Sequence, residues 1–374
     1  MSEHVLTGCC IENGSGVLGA PAEVMMKGRR KVVSHRWSLQ AQFELEASRA
    51  QAKRSNKNAH RFLDGALVFG RDFEPTGWLV GGSRNPNLEE QRNTLIKLEG
   101  VEHSVRNLNL SALLTQTIEI VIGAGQLLIA EWARTDGPRG EGDKASVDLE
   151  IEEFLRQKLL DIFNCDFWGE ETGHSLTAHS WCWVVDPNDG TSDFLNGLKG
   201  SALSVGLLHE QMPVLGVVFA PITVEGLPDC IAWAEGLQKV IRNGQPVPSK
   251  LSAKTLSSNE LVMVSAAAIN KPDINADLCN PAGFVAMPSI AYRLAKVAAG
   301  DGVCGVSLYP VSAHDVVAGH ALLRGAGGVL LDELGQAIKY VAEGNLHTVS
   351  RRCFGGSLSA CRTLVIRDWD RIFA

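Results

Sequence analysis

Three short acidic clusters carry the chemistry that can be read from this chain. They are Trp168-Gly169-Glu170-Glu171-Thr172-Gly173, then Val185-Asp186-Pro187-Asn188-Asp189-Gly190-Thr191-Ser192-Asp193-Phe194, then Ala313-His314-Asp315-Val316-Val317-Ala318-Gly319. In the second, an apolar strand delivers Asp186 at its end, and Pro187 stops the ladder. Asp189 follows three residues later, on a turn that can aim both carboxylates at one point. Gly190 allows close backbone approach. Thr191 and Ser192 can start a helix, whose free N–H groups and dipole suit an anion. Two carboxylates beside an anion site repel each other and any phosphate unless cations lie between them. Mg²⁺ prefers oxygen ligands and commonly bridges carboxylates to a substrate phosphate. Asp186 and Asp189, with Glu170 and Asp315 as further oxygen donors, therefore read as a Mg²⁺ site.

The elements that must position these residues alternate in type. Helical apolar spacing runs from Ser111, taken as the N-cap, to Trp132, and again over Val147–Phe163. Thr135–Lys144 reads as a Gly-rich, charged loop. Strands are expected at Trp181–Val185, Ser201–Leu208, Val214–Ala220, Ile231–Ala234 and Val240–Arg242, with a hairpin turn at Asn243-Gly244. Further strands are expected at Leu261–Ala266, Gly283–Met287 and Val329–Leu331, and helices at Ile290–Ala299 and Ala313–Gly325. The class is α/β or α+β, with sheets covered by helices.

At these motifs the chain resembles the inositol monophosphatase family, part of a lithium-sensitive phosphatase superfamily. That superfamily also holds fructose-1,6-bisphosphatases and 3′(2′),5′-bisphosphate nucleotidases. The resemblance spans residues 107–374, with an N-terminal α+β half at 107–260 carrying the metal motifs and a C-terminal α/β half at 261–374. It implies a layered αβαβα fold and Mg²⁺-dependent hydrolysis of a small phosphorylated metabolite. The reaction it implies is in-line attack of a metal-activated water. By motif position, Glu170, Asp186, the Asn188 carbonyl, Asp189 and Asp315 are the implied metal ligands. Asp148 and Thr191, with Glu170, are the implied catalytic residues. Gly190 and Thr191 are implied at the phosphate. From the residues themselves, Ser192 at the same helix start is a further phosphate contact, and His314 and Arg293 are expected at the substrate. A homodimer is implied by the resemblance alone.

The chain departs from the family pattern in three places. His314 stands where the family usually has Trp, Ala145-Ser146-Val147 replaces the segment that usually carries a threonine before the acidic residue Asp148, and Leu308-Tyr309-Pro310 occupies the region of a sugar-contacting acidic residue. The alternatives are a 3′(2′),5′-bisphosphate nucleotidase and a non-catalytic binding or regulatory protein on the same fold.

Composition bounds the rest. The chain has 374 residues, is 45% hydrophobic and 21% charged, and carries a net charge of −7. That is globular composition and excludes collagen-like or wholly disordered classes. The charge is uneven. Residues 1–106 hold 15 Lys and Arg against 12 Asp and Glu, whereas residues 107–374 hold 20 against 30. The acidic body makes a nucleic-acid polymer an unexpected partner. The basic front segment, including Met25–Arg36, reads as an extension that docks on that body. The nine cysteines include no C-x-x-C pair, so neither a disulfide framework nor a cysteine zinc site is expected. No signal peptide is read at the N-terminus. The apolar run Ile118–Trp132 is interrupted by Glu119 and Gln126, so the expectation is a cytoplasmic chain with no membrane partner.

Overall fold

The computed structural model describes residues 108–341 and 346–374. The basic run and the expected docking of residues 1–106 lie outside the described residues. Helix α1 (Leu110–Trp132) is followed by a two-strand ribbon, β1 (Gly140–Glu141) and β2 (Lys144–Ala145), and by α2 (Ser146–Ile162). Then come β3 (Asp166–Gly169), β4 (His174–Ser175), β5 (Trp181–Asp189), the short helix α3 (Thr191–Leu195), β6 (Ala202–His209), β7 (Met212–Ala220), β8 (Asp229–Ala234) and the hairpin β9 (Ile241–Arg242) with β10 (Gln245–Pro246). The second half runs β11 (Leu261–Ser265), α4 (Pro272–Cys279), β12 (Gly283–Met287), α5 (Ile290–Ala299), β13 (Cys304–Ser307), α6 (Ala313–Gly325), β14 (Val329–Leu331), β15 (Cys353–Gly356) and α7 (Leu358–Val365).

Two sheets organise these elements. One is eight-stranded, in the order β10-β9-β8-β7-β6-β5-β3-β4, and antiparallel except for β3 beside β5. The other is five-stranded, β12-β11-β13-β15-β14, with β11 parallel to both β12 and β13. The first sheet is buried on both faces, which its alternation makes explicit. Trp183, Val185, Leu203, Val205, Val217 and Phe219 pack with α1 and α2. Val184, Ala202, Val218 and Ala220 face α5 and α6. A third core around Val262, Val306, Phe354 and Trp369 covers the far side of the second sheet with α4 and α7. The layers are helix, sheet, helix, sheet, helix, the αβαβα arrangement that the family resemblance implies. Helix α1 is long and apolar enough by composition to cross a membrane. In the fold, Leu113, Leu114, Val121, Ala124 and Leu128 bury one of its faces in the first core.

Helix α6 lies against the first sheet because two glycines let it. A Cβ on Gly206 would sit 2.5 Å from Val317 Cγ1, and one on Gly216 would sit 2.4 Å from the Ala318 carbonyl oxygen. No side chain fits between helix and sheet at these points.

Two local expectations are corrected. Helix α1 begins at Leu110, and its cap is Asn109, whose Oδ1 accepts from Ala112 N at 3.0 Å. Asn in this place satisfies a first-turn amide that Ser111, already helical, does not reach. Strand β5 does not stop at Pro187. It runs to Asp189 with a register shift, pairing Asp186 with Ser204 and Asp189 with Ala202. The loop over Thr135–Lys144 also holds a short ribbon, where Gly140 pairs with Ala145.

Candidate active site

The register shift in β5 assembles the site. Between Asp186 and Asp189 the strand advances three residues while β6 advances two, from Ser204 to Ala202. One residue is therefore extra, which defines a β-bulge. In a regular strand, residues three apart point to opposite faces. Here both aspartates lie opposite residues of the same face of β6, the face toward α5 and α6. The bulge also takes the Asn188 main chain out of the ladder. Asn188 N donates to Asp186 Oδ1 at 2.9 Å, and the Asn188 carbonyl accepts from Thr191 Oγ1 at 2.8 Å. Gly190 then turns the chain at φ +95°, where a Cβ would lie 3.2 Å from Ser289 N. A side chain there would be strained in backbone and crowded in space.

Asp315 joins from α6. It occupies the third position of that helix, where its carboxylate accepts from Ser312 N in a capping box. The start of α6 is tied to the first sheet by Ser204 Oγ, which donates to the His314 carbonyl at 3.1 Å. Glu170 enters from the end of β3, on a loop held by Glu152 of α2. The Glu152 carboxylate accepts from Glu171 N at 2.9 Å, Thr172 N at 2.6 Å and Thr172 Oγ1 at 2.6 Å. Two groups of ligand atoms result, each within 4.8 Å of one another: Asp186 with Asp189 and Asp315, and Glu170 with Asp186 and His314.

The electrostatics of this cluster are unfavourable without a cation. Burial, then repulsion from Glu170, raises Asp186 well above the carboxylate range. Burial, then Asp315, pushes Asp189 to about 6. Asp315 is also pushed to about 6 by burial, against the pull of the Ser312 amide. Glu170 is pushed up to about 8 by partial burial and then Asp315. The imidazole of His314 is lowered to about 4 by burial, so it is neutral at neutral pH. Buried, mutually repelling oxygens of this kind match the donor set of a hard divalent cation. Two site residues also carry orphaned polar atoms: Asn188 Oδ1 and His314 Nδ1 are buried with no hydrogen-bond partner among the described residues. The residues present fit a divalent metal.

Beside the cluster, Asp148 and Thr191 are joined. Thr191 Oγ1 lies 3.0 Å from Asp148 Oδ2, and Asn188 Nδ2 donates to Asp148 Oδ1 at 3.0 Å. Asp148 is buried, which pushes it up to about 6 even though the Thr191 and Asn188 hydrogen bonds pull it down. Gly190 precedes the first turn of α3 and Thr191 and Ser192 form it, where helical amides lack intrahelical acceptors.

Arg293 is not where a substrate contact would be. It is 6% exposed, with Nε donating to the Ser289 carbonyl at 3.2 Å and Nη1 to that of Val306. The amphipathic pattern of α5 turns it inward beneath the carboxylates, and its charge favours ionised Asp189 and Asp315. The expectation of Arg293 at the substrate is corrected to a buried cation behind the site.

Three groups were not singled out from sequence. Ser289 Oγ and Ala291 N donate to Asp189 Oδ2, at 2.6 and 2.5 Å, and clamp it from the start of α5. Glu152 is the second, and its signal was its place one turn after Asp148 on the same helix. The third is an aromatic rim beside Glu170, where Trp168 stacks on His174 at 4.7 Å and meets His347 edge-on at 4.7 Å.

Comparison with known proteins agrees with this geometry. The profile of the inositol monophosphatase family matches residues 109–366. A probable inositol 1-monophosphatase of Mycobacterium tuberculosis is 30% identical over 240 residues, covering 61% of this chain and 86% of that protein. A 3′(2′),5′-bisphosphate nucleotidase of Haemophilus influenzae is 26% identical over 204 residues, covering 52% of this chain and 73% of that protein. Among solved structures, the inositol monophosphatase of Anabaena superposes with a TM-score of 0.53 and 24% identity, covering 69% of this chain and 95% of that one. The chain belongs to the inositol monophosphatase family, a family of metal-dependent phosphatases.

Proposed function

We propose that this protein is a Mg²⁺-dependent phosphomonoesterase acting on a small phosphorylated metabolite, of the inositol monophosphate or sugar phosphate kind. The observation that carries the reading is the bulge that gathers Asp186, Asp189 and Asp315 beside the Asp148–Thr191 pair. Glu170, Asp186, the Asn188 carbonyl, Asp189 and Asp315 would hold Mg²⁺, which would neutralise charge and acidify water. Thr191 Oγ1 orients the attacking water and receives its proton while passing its own to Asp148. That transfer requires Asp148 ionised, which the Thr191 and Asn188 hydrogen bonds favour. Gly190, Thr191 and Ser192 hold the phosphate through main-chain amides at the start of α3, which fixes it for in-line attack. Glu170 places the water from the opposite wall.

The reading includes a homodimer, from the family resemblance, and a cytoplasmic location with no membrane or nucleic-acid polymer as partner, from the composition of the chain. A second reading, a 3′(2′),5′-bisphosphate nucleotidase, is supported by the similarity to the Haemophilus enzyme. Phosphate release from inositol monophosphates, sugar bisphosphates and 3′-phosphoadenosine 5′-phosphate separates the two, run with Mg²⁺, with EDTA and with Li⁺. Turnover that needs Mg²⁺ and falls with Li⁺ is expected. Equal turnover in EDTA refutes the proposal, and turnover confined to the bisphosphate nucleotide selects the second reading.

A further inference from the structure

We propose that His314 is a metal ligand, so that the centre has one mixed nitrogen–oxygen position selective for a first-row transition cation beside one all-oxygen position for Mg²⁺. The inference rests on the metal-dependent reading above and deepens it.

The ring is only 11% exposed, yet hydrogen bonds among the described residues do not account for its placement. Nδ1 has no partner among the described residues. Nε2 faces Asp315 Oδ1 at 3.7 Å and Glu170 Oε1 at 4.0 Å, both too far for a hydrogen bond. Two ligands with bonds near 2.1 Å to one ion lie up to about 4.2 Å apart, so the same distances suit a shared cation. Glu170, Asp186 and His314 form one group with ligand atoms within 4.8 Å. Packing fixes the ring here, because Ser204 holds the His314 carbonyl and Gly206 seats Val317 one turn further on.

Donor type then decides the ion. Imidazole nitrogen suits Zn²⁺, Fe²⁺, Ni²⁺ and Cu²⁺, whereas carboxylate and carbonyl oxygens suit Mg²⁺ and Mn²⁺. Asp186, Asp189 and Asp315 present oxygen alone. Glu170, Asp186 and His314 add a lone pair that Mg²⁺ does not favour and Zn²⁺ does.

The test uses the full chain, stripped with EDTA, and the metals themselves. Calorimetric titration with Zn²⁺ and with Mg²⁺ is compared for the native protein, His314→Phe and His314→Ala. The Phe variant keeps a ring without a lone pair. Pulsed electron paramagnetic resonance on the Cu²⁺-loaded proteins reads nitrogen coupled to the ion. The expected result is nitrogen modulation in the native protein alone. Zn²⁺ binding should weaken at least about tenfold in both variants, with Mg²⁺ affinity within threefold. Metal-free thermal melts show that both variants are folded. Absent nitrogen coupling, or unchanged Zn²⁺ affinity in either folded variant, overturns the assignment while leaving the phosphatase reading intact. Failure of every ion to bind the native protein overturns both.

Discussion

Removing one carboxylate from the centre should stabilise the metal-free protein and abolish its response to metal. The perturbation is Asp186→Asn, which keeps the shape and the oxygen that accepts from Asn188 N. Asp186 is 1% exposed, and its ligand oxygen lies within 4.8 Å of those of Asp189 and Asp315. At an effective dielectric near 20, each ionised pair at that distance costs about 3 kcal/mol. Protonation of Asp186 itself, raised well above the carboxylate range, and of its neighbours limits the relief to at most one such pair. For a domain of this size, about 3 kcal/mol corresponds to a rise in Tm of roughly 6–12 °C. The pH dependence has a definite sign. Asp189 and Asp315 are raised to about 6 in the fold, so the folded state holds protons that the unfolded chain has already released. Their stabilising effect is complete below about pH 4 and is lost as pH rises through 6. The metal-free native protein should therefore melt lower at pH 7.5 than at pH 5, and the variant should lose less over that range. Mg²⁺ at a hundred times its Kd adds about 2.7 kcal/mol to the native protein at pH 7.5 and nothing to the variant. Differential scanning calorimetry in EDTA and in Mg²⁺ reads all four states. If Asp186→Asn melts at or below the native protein in EDTA at pH 7.5, the repulsion argument is wrong. An equal Mg²⁺ shift in both proteins would be as damaging.

Four further outcomes are expected. Thr191→Val removes the hydroxyl that meets Asp148 and should lower kcat about 10²–10⁴-fold with little change in Mg²⁺ affinity. In the native enzyme kcat should fall as pH drops below about 6, where Asp148 takes up a proton, and a flat profile from pH 5 to 8 would remove Asp148 from the reaction. Gly216→Ala forces a Cβ to within 2.4 Å of the Ala318 carbonyl, so α6 must move. Loss of about 1–3 kcal/mol by denaturant titration and up to about 10²-fold in kcat should follow, because Asp315 rides on that helix. Arg242→Ala strands Asp229, which Arg242 meets at 2.7 Å and which is otherwise held by Tyr292 Oη at 2.7 Å. About 3–5 kcal/mol of stability should be lost with kcat unchanged while the protein remains folded.

The α/β class and the acidic clusters were legible because they are local patterns, whereas the layering was legible only through the family resemblance. Helix α5, helix α6, β12 and β14 run over the ranges that periodicity alone marks out. The central strands β13, Cys-Gly-Val-Ser, and β15, Cys-Phe-Gly-Gly, were missed, since glycine-rich runs of four residues carry almost no strand signal. They are strands because α5 and α6 press on them, which is tertiary information. Pro187 was read as a stop for the same kind of reason. A bulge tolerates proline, and only the register with β6 reveals the bulge. The clamp on Asp189 comes from Ser289, a hundred residues away, and no spacing rule reaches that far. Arg293 shows the converse error. A charge in a helix reads as surface or ligand contact, and only burial on all sides shows that it serves the aspartates from behind.

The bulge in β5 has a consequence for how this centre would look to a mutational scan. Aspartates at 186 and 188 of a regular strand would also share one face, so direction alone does not need the extra residue. What the extra residue releases is main chain: an amide for Asp186 and a carbonyl for Thr191, both belonging to Asn188. Replacing Asn188 by alanine deletes its bond to Asp148 and leaves those two groups in place, so a scan is blind to half of what the position does. Shortening the chain by one residue at 187 is the complementary change. It restores an unbroken ladder, keeps both carboxylates on their face, and returns the carbonyl to the sheet. The difference between the two variants isolates the share of the site that is written in the length of the chain rather than in its side chains.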